Sequence, residues 1–512
     1  MNKAKLQRLF VDFILNEVGP SEEKEKERNI KYNLVKQIIK NSLTQNYPNY
    51  IPHLFLYGSF SIKTYLKDSD IDITIILENK ENHDLLIDIP NSLIIEILQL
   101  IKKSFEDYND KIKPNSFSDI NIILSETKLL KCQLDSLFLD ISLNNFYGLL
   151  KIIFLHYIFE IIKKNDKNKN KLLILKRTII LTKAWFYYES NLIGSNIGLM
   201  ASCALELLIL NIFNIYYENI QDEIEAFFLF FNVMNKINFN EEIITLFGQK
   251  SAADFFGNNQ KNYFWYIKQE QKYLFKSEEF IKLYKLIEES KNILYSKEIT
   301  KNMFQNKLCN ILDPINESNN LGKSINNHCF SRIKGIFQYM VKEINEINKI
   351  EQMNEPFLYI NSLLRLFNTC LSMNFIELFI NYLNMPKIFI SSQNKEHFGN
   401  NILKVENNEI KKFNNLFVTE EKKEKDKNEE LEEEEEEEEE DENKNDIDEM
   451  NNINMIKDKY QKFDIIINNK IMNKLLEIYN NSEKSSFHNK LNEEAEKNFS
   501  ELNDFLKNHK II

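Results

Sequence analysis

Cysteine is scarce and scattered in this chain. The five cysteines, at positions 132, 203, 309, 329 and 370, include no CxxC pair. That argues against a structural zinc site and a disulfide framework, and a reducing compartment, cytoplasm or nucleus, is expected. Nor does the N-terminal run read as a signal peptide. The N-terminal MNKAKLQRLFVDFILNEVGP mixes charges into its apolar positions and reads as an amphipathic helix. Long hydrophobic runs are missing: the most apolar segment, Ile197 to Tyr217, is interrupted by Glu206 and Asn211. A buried helix is expected there, with no membrane span, in a soluble protein. No internal repeat is apparent, and the seven histidines show no metal-ligand spacing. A basic excess is absent, since the net charge is −12. Residues 420–450, however, hold twenty Asp and Glu against five Lys, a net of −15, so the rest of the chain carries +3. The folded part is therefore near neutral and has room for a basic groove, although no strongly basic stripe is visible.

With 512 residues the chain can form two or three domains. Residues 1–50 read as an N-terminal helical segment, with apolar positions at Leu9, Phe10, Phe13, Ile14, Leu34, Ile38 and Ile39. The runs HLFLYG, DIDITIIL, INIIL and LFLDISL read as strands, interleaved with a helical stretch around 91–105. They define an α/β domain over 51–148 with a mixed β-sheet and helices. A mainly α-helical domain follows over 149–345, then a helical extension over 346–417. The Glu run 432–440 sits inside an acidic segment, 418–452, that cannot bury enough apolar surface to fold and reads as a disordered linker. A C-terminal helical segment, 453–512, closes the chain.

What the sequence does have is one informative run, LFLYGSFSIKTYLKDSDIDITIIL, residues 54–77. Asp70 and Asp72 are separated by one residue on a predicted strand, so they share one face while Ile71 and Ile73 face the core. Gly58-Ser59 lies ahead of them with ten residues between. Paired carboxylates beside a small-residue turn that admits phosphates are what a two-magnesium phosphoryl-transfer site requires. Such a site needs a third acid on a neighbouring strand, and Asp140 in LFLDIS is the candidate. In this reading one metal, held by all three Asp, lowers the pKa of an attacking hydroxyl. The second, held by Asp70, Asp72 and the triphosphate, stabilises the leaving pyrophosphate. Gly58 lets the backbone approach the phosphates and Ser59 can donate to them.

LYGSFSIKTYLKDSDIDITI resembles the signature of the DNA polymerase β-type nucleotidyltransferases, and more narrowly that of noncanonical poly(A) polymerases and terminal uridylyltransferases. LFLDISLNN resembles the family's third-carboxylate strand, and LKRTIILTKAWFYYESNLIGSNIGLMASCALELLILNIF its helical central domain. Residues 311–340, ILDPINESNNLGKSINNHCFSRIKGIFQYM, resemble the PAP-associated motif that closes over the base. The wording GSF-x-x-KTYL and KAW-x-YYES is nearest to a branch of largely uncharacterised plant and protist members.

The resemblance implies a catalytic palm with Asp70, Asp72 and Asp140, a helical domain that holds base and ribose, and transfer of nucleoside monophosphates to an RNA 3′-hydroxyl. It implies two Mg²⁺ or Mn²⁺ ions and an NTP substrate. Lys183, opening the KAW helix, matches the triphosphate lysine, and Ser202 matches a serine or threonine that touches the triphosphate. The aromatic residue that stacks on the base is replaced by Cys203, and Tyr187 stands where some uridylyltransferases carry a second lysine. Asp313 and Asn316 are expected near the base edge. Asn319 stands where uridylyltransferases often have a purine-excluding His, which favours ATP over UTP. No RNA-recognition motif, zinc knuckle or basic tail accompanies the core, so a partner protein that supplies RNA affinity is expected. The alternative, raised by Cys203, is a catalytically weak scaffold or RNA-binding subunit.

Overall fold

The structure is a computed structural model that describes residues 3–125, 127–165, 170–257, 273–275, 277–295, 304–353, 359, 362–363, 365–367 and 484–512. The predicted acidic linker 418–452, the extension 346–417 beyond Met353 apart from a few residues, and the segment 453–483 lie outside the described residues.

Two helices lead in, α1 (Lys3–Val18) and α2 (Glu22–Asn46). Ser21 caps α2 by accepting from Lys24 N at 3.3 Å, and Glu22, Glu23 and Glu25 in the first turn complement the helix dipole. A five-stranded sheet follows, built from β1 (Tyr50–Tyr57), β2 (Ile71–Asn79), β3 (Phe117–Leu124), β4 (Lys128–Leu134) and β5 (Leu137–Leu143) in the spatial order β1-β2-β5-β4-β3. Only β2 and β5 pair in parallel. The short helix α3 (Gly58–Ile62) continues directly from β1, and α4 (Asn91–Lys111) connects β2 to β3.

The apolar periods explain the packing. On β2, Ile71, Ile73, Ile75 and Leu77 point into one core. On α4, Ile97, Leu98, Ile101 and Phe105 form the matching stripe, and Phe105 stacks on Phe117 with centroids 4.2 Å apart. Helices α2 and α4 cover this face of the sheet. Truncating one such side chain costs about 2–5 kcal/mol.

The second part begins with α5 (Phe146–Asn165), which is apolar nearly all round and correspondingly buried. It continues through α6 (Lys171–Ala184), a π-helical turn over Trp185–Glu189, α7 (Ser202–Tyr216) and α8 (Glu223–Met234). Trp185 packs edge-on against Phe186, Phe227 and Phe231 at its centre, with Trp185–Phe231 and Phe227–Phe231 centroids 5.0 Å apart. Then come α9 (Ala252–Gly257), α10 (Ser277–Leu294) and α11 (Asn327–Gln352), which Asn326 caps through Cys329 N. A small sheet, order β7-β6-β8, interrupts this mainly helical part. It comprises β6 (Glu242–Thr245), β7 (Gly248–Ser251) and β8 (Asn310–Ile311). Strands of two to four residues are too short for a period-2 pattern to register. The last helix, α12 (Lys484–Asn508), returns to the first sheet and to α5. Among the described residues no helix is long and apolar enough to cross a membrane.

Candidate active site

Strand register gathers the three predicted carboxylates. Asp72 is the second residue of β2 and lies opposite Asp140 in the parallel β2–β5 ladder, while Asp70 stands just before β2 begins. All three are only partly covered, whereas Ile71 and Ile73 are fully buried. The alternation read from the sequence thus puts both Asp on the open side of the strand.

Gly58 completes this corner. Tyr57, directly before it, pairs with Asp72 across β1–β2. Gly58 has φ +69°, and a Cβ there would stand 2.1 Å from Asp72 Oδ2. Backbone conformation and space therefore both require glycine. Ser59 follows, partly exposed, and its carbonyl accepts from Thr64 N at 3.0 Å.

Lys131 was not foreseen. It faces Asp140 across β4–β5, and its Nζ lies 2.8 Å from Asp70 Oδ2 and 3.2 Å from Asp140 Oδ1. Burial, reinforced by Asp140 and Asp70, pushes the Asp72 carboxyl up to about 8. Burial also raises Asp140. Burial opposes the Lys131 charge, but the two carboxylates beside it hold its pKa above the usual lysine value. Among the described residues no group of three or more His, Cys, Asp and Glu side chains is drawn together as a ready-made metal cage. Even with Asp72 protonated, Asp70 and Asp140 against one ammonium leave a net negative corner, and an all-oxygen donor set suits a hard divalent cation.

Lys183 does not open a helix. It lies in the last turn of α6, just before the π-helical turn. Its buried Nζ pairs with Glu206 at 2.5 Å and donates to Thr64 O at 3.2 Å. Glu206 also faces Lys151 at 3.8 Å. Burial alone would raise the Glu206 pKa, but Lys183 and Lys151 bring it below the usual carboxylate value. Ser202 is exposed at the first position of α7, and Cys203 follows it, one turn ahead of Glu206. Lys151, also unforeseen, hydrogen-bonds Cys203. Burial disfavours its charge, yet Cys203, Glu206 and Asp313 hold its pKa up.

The 311–340 motif hangs from β8. Asp313 is buried, and its Oδ1 accepts from Ile315 N at 2.9 Å, closing the Asp-Pro turn. Its Oδ2 accepts from Asn319 Nδ2 at 2.8 Å and from the Tyr147 hydroxyl. Asn316 caps the next turn by accepting from Ser318 N and Oγ. Tyr147 and Lys151 lie one turn apart on α5, so a single helix face meets Asp313 on one side and Cys203 and Glu206 on the other. The eight residues of the notional phosphate and base sites thus fall into three neighbourhoods: Gly58 and Ser59 beside the carboxylates, Lys183 with Ser202 and Cys203 around Glu206, and Asp313, Asn316 and Asn319 under β8. A lysine in each strand or helix facing a carboxylate was the missed signal. Lys131 stands out in KLLKCQL once that segment is read as an alternating strand.

Comparison with known proteins places two domains on the chain. The nucleotidyltransferase domain family matches residues 36–130, covering Gly58, Ser59, Asp70 and Asp72 and ending before Asp140. The PAP/OAS1 substrate-binding domain family matches residues 168–371, covering Lys183, Ser202, Cys203 and the Asp313 motif. No curated protein matches the chain. Among solved structures, the Cid1 poly(U) polymerase is similar with 15% identity and a TM-score of 0.42, over 66% of this chain and 93% of that one. A cytoplasmic RNA terminal U-transferase gives 15% identity and a TM-score of 0.42, over 66% of this chain and 94% of that one. A nucleotidyltransferase domain followed by a PAP/OAS1 substrate-binding domain thus makes up more than half of the chain, which marks it as a nucleotidyltransferase.

Proposed function

We propose that the protein adds nucleoside monophosphates, AMP in preference to UMP, to an RNA 3′-hydroxyl without a template. The observation that carries this reading is the β2–β5 register, which sets Asp140 beside Asp72, itself against Gly58, and leaves Asp70 two residues upstream. Asp70, Asp72 and Asp140 would hold two Mg²⁺ or Mn²⁺ ions, with Lys131 yielding its place between Asp70 and Asp140. The ions, when bound, supply a lowered pKa for the attacking hydroxyl and neutralise charge on the departing pyrophosphate. The chain's own residues do the rest. Gly58 admits a phosphate close to the backbone and Ser59 offers a hydroxyl to it. Ser202 would face the triphosphate, Lys183 would reach it only by giving up its buried pair with Glu206, and Asp313, Asn316 and Asn319 would read the base. Adenine is favoured because Asn319, held by Asp313, leaves space that a histidine would fill.

Phosphate contacts and stacking in the cleft alone bind RNA weakly and with strong salt dependence, so an RNA-binding partner protein in the cytoplasm or nucleus supplies substrate choice. The scaffold reading keeps one observation in its favour: Cys203 offers no π-face for the base, a loss of about 1–3 kcal/mol in stacking.

The test is 3′-extension of a labelled single-stranded RNA with Mg²⁺ or Mn²⁺ and each NTP separately, beside Asp70→Ala/Asp72→Ala. Extension with ATP above UTP, absent in the double variant, is the expected result. Extension with UTP above ATP overturns the donor assignment. No extension by folded protein with any NTP or metal moves the weight to the scaffold.

A further inference from the structure

Helix α12 plays no part in the reaction just described, yet it bridges the sheet and the helical part. Towards the sheet, Glu494 lies 3.1 Å from Lys63 Nζ, and the Phe505 ring packs on His53 and Phe55 with centroids 4.6 and 4.8 Å away. His509, just past the helix end, faces Glu78 at 3.5 Å. Towards the helical part, Phe499 stacks on His156 at 3.5 Å and 10°. Asn492 accepts from Lys176 Nζ at 2.7 Å, and Glu496 pairs with Lys163.

Lys63 is the informative partner. It closes α3 in the left-handed conformation, φ 61°, and its side chain is 1% exposed. Its Nζ is held by Glu25 at 2.6 Å from the N-terminal side of the chain and by Glu494 from the C-terminal side. Glu25 is itself fixed by the Tyr65 hydroxyl at 2.6 Å. The same five-residue helix begins with Gly58 and Ser59. A buried ammonium clamped from both ends of the chain therefore fixes the far end of the turn that borders Asp72.

We propose that α12, acting through Glu494 and Lys63, positions the Gly58–Ser59 turn for the nucleotide's phosphates. Glu494 and Lys63 are positioning residues, touching neither phosphate nor base, and the inference rests on the function proposed above. The charge arrangement makes the idea testable. Lys63 and Glu25 remain a complete ion pair without Glu494, so Glu494→Gln loosens the clamp without stranding a buried charge.

The experiment uses the full chain with Glu494→Gln, Glu494→Asp and Phe499→Ala/Phe505→Ala. It reads NTP KM and kcat in the extension assay, Kd for a non-transferable NTP analogue, and amide exchange over residues 58–64. Expected are a roughly five- to tenfold rise in KM and Kd for Glu494→Gln and the double variant, with kcat changed less than twofold. Faster exchange over 58–64 and partial rescue by Glu494→Asp complete the expected pattern. A lowered melting temperature with unchanged Kd, KM and exchange over 58–64 overturns the proposal and makes α12 a brace only. Should the unsubstituted protein bind no NTP, the functional reading fails by itself, and exchange over 58–64 still decides whether α12 holds the turn.

Discussion

Gly58 tolerates no side chain. Its Cβ would sit 2.1 Å from Asp72 Oδ2, at φ +69°. Gly58→Ala must therefore displace either Asp72 or the turn, and left-handed strain of order 1–3 kcal/mol adds to the clash. The expected outcome is a loss of nucleotide transfer of at least a hundredfold, with a melting temperature only a few degrees lower, measured by single-turnover extension and calorimetry. Lys183 poses a different residue-scale question, because it is committed to Glu206 in a buried pair. Lys183→Met leaves Glu206 with Lys151 alone and is expected to destabilise the fold by roughly 3–5 kcal/mol in urea unfolding. Lys183→Met/Glu206→Leu should recover most of that stability. If Lys183 also serves the triphosphate, NTP binding stays weak in the recovered protein; wild-type affinity there would make the lysine purely structural.

At the scale of elements, the α5–α12 contact carries its own pH dependence. His156 stacks on Phe499, and burial lowers its pKa to about 4 although Glu160 and Glu496 pull the other way; Lys163 and Lys176 add to the lowering. The unfolded chain takes up this proton near pH 6.5 and the folded chain near pH 4. Stability is thus lost as pH falls between those values, by about 2 kcal/mol at pH 5. His156→Phe keeps the stack and removes the titration, so its melting temperature should fall less than that of the natural protein between pH 7.5 and 5. Equal falls in both proteins would assign the pH dependence to other groups.

At the scale of the molecule, one buried arginine ties three helices together. Arg177 on α6 meets Asp12 on α1 at 2.7 Å and Glu223 at the start of α8 at 2.5 Å. Burial works against the Arg177 charge, but Glu223 and Asp12 raise its pKa above the usual value. Arg177→Met leaves two buried carboxylates facing each other, and a loss of about 3–5 kcal/mol is expected from the urea midpoint. Adding Asp12→Asn and Glu223→Gln should recover much of it, since neutral side chains need no countercharge. A single-variant loss below 1 kcal/mol would show that water reaches the pair.

Local pattern made part of this protein legible before any coordinates. The alternation in DIDITIIL shows which way Asp70 and Asp72 face, because side-chain direction on a strand has a period of two. The apolar stripe of α4 and the all-round apolar α5 follow from the same kind of count. What escaped is non-local or short. The two-residue β8 has no period, yet it carries the Asp313 turn to Tyr147, 166 positions earlier in the chain. Lys131 becomes the partner of Asp70 and Asp140 only when β4 pairs with β5. Lys63 meets Glu494 only because α12 folds back across more than 400 residues. By itself the sequence determined strand faces, helix stripes and the family's ordered motifs, since these depend on neighbours a few residues apart. Tertiary structure alone decided which charges meet, because ion pairs are chosen by chain crossings that no local period encodes.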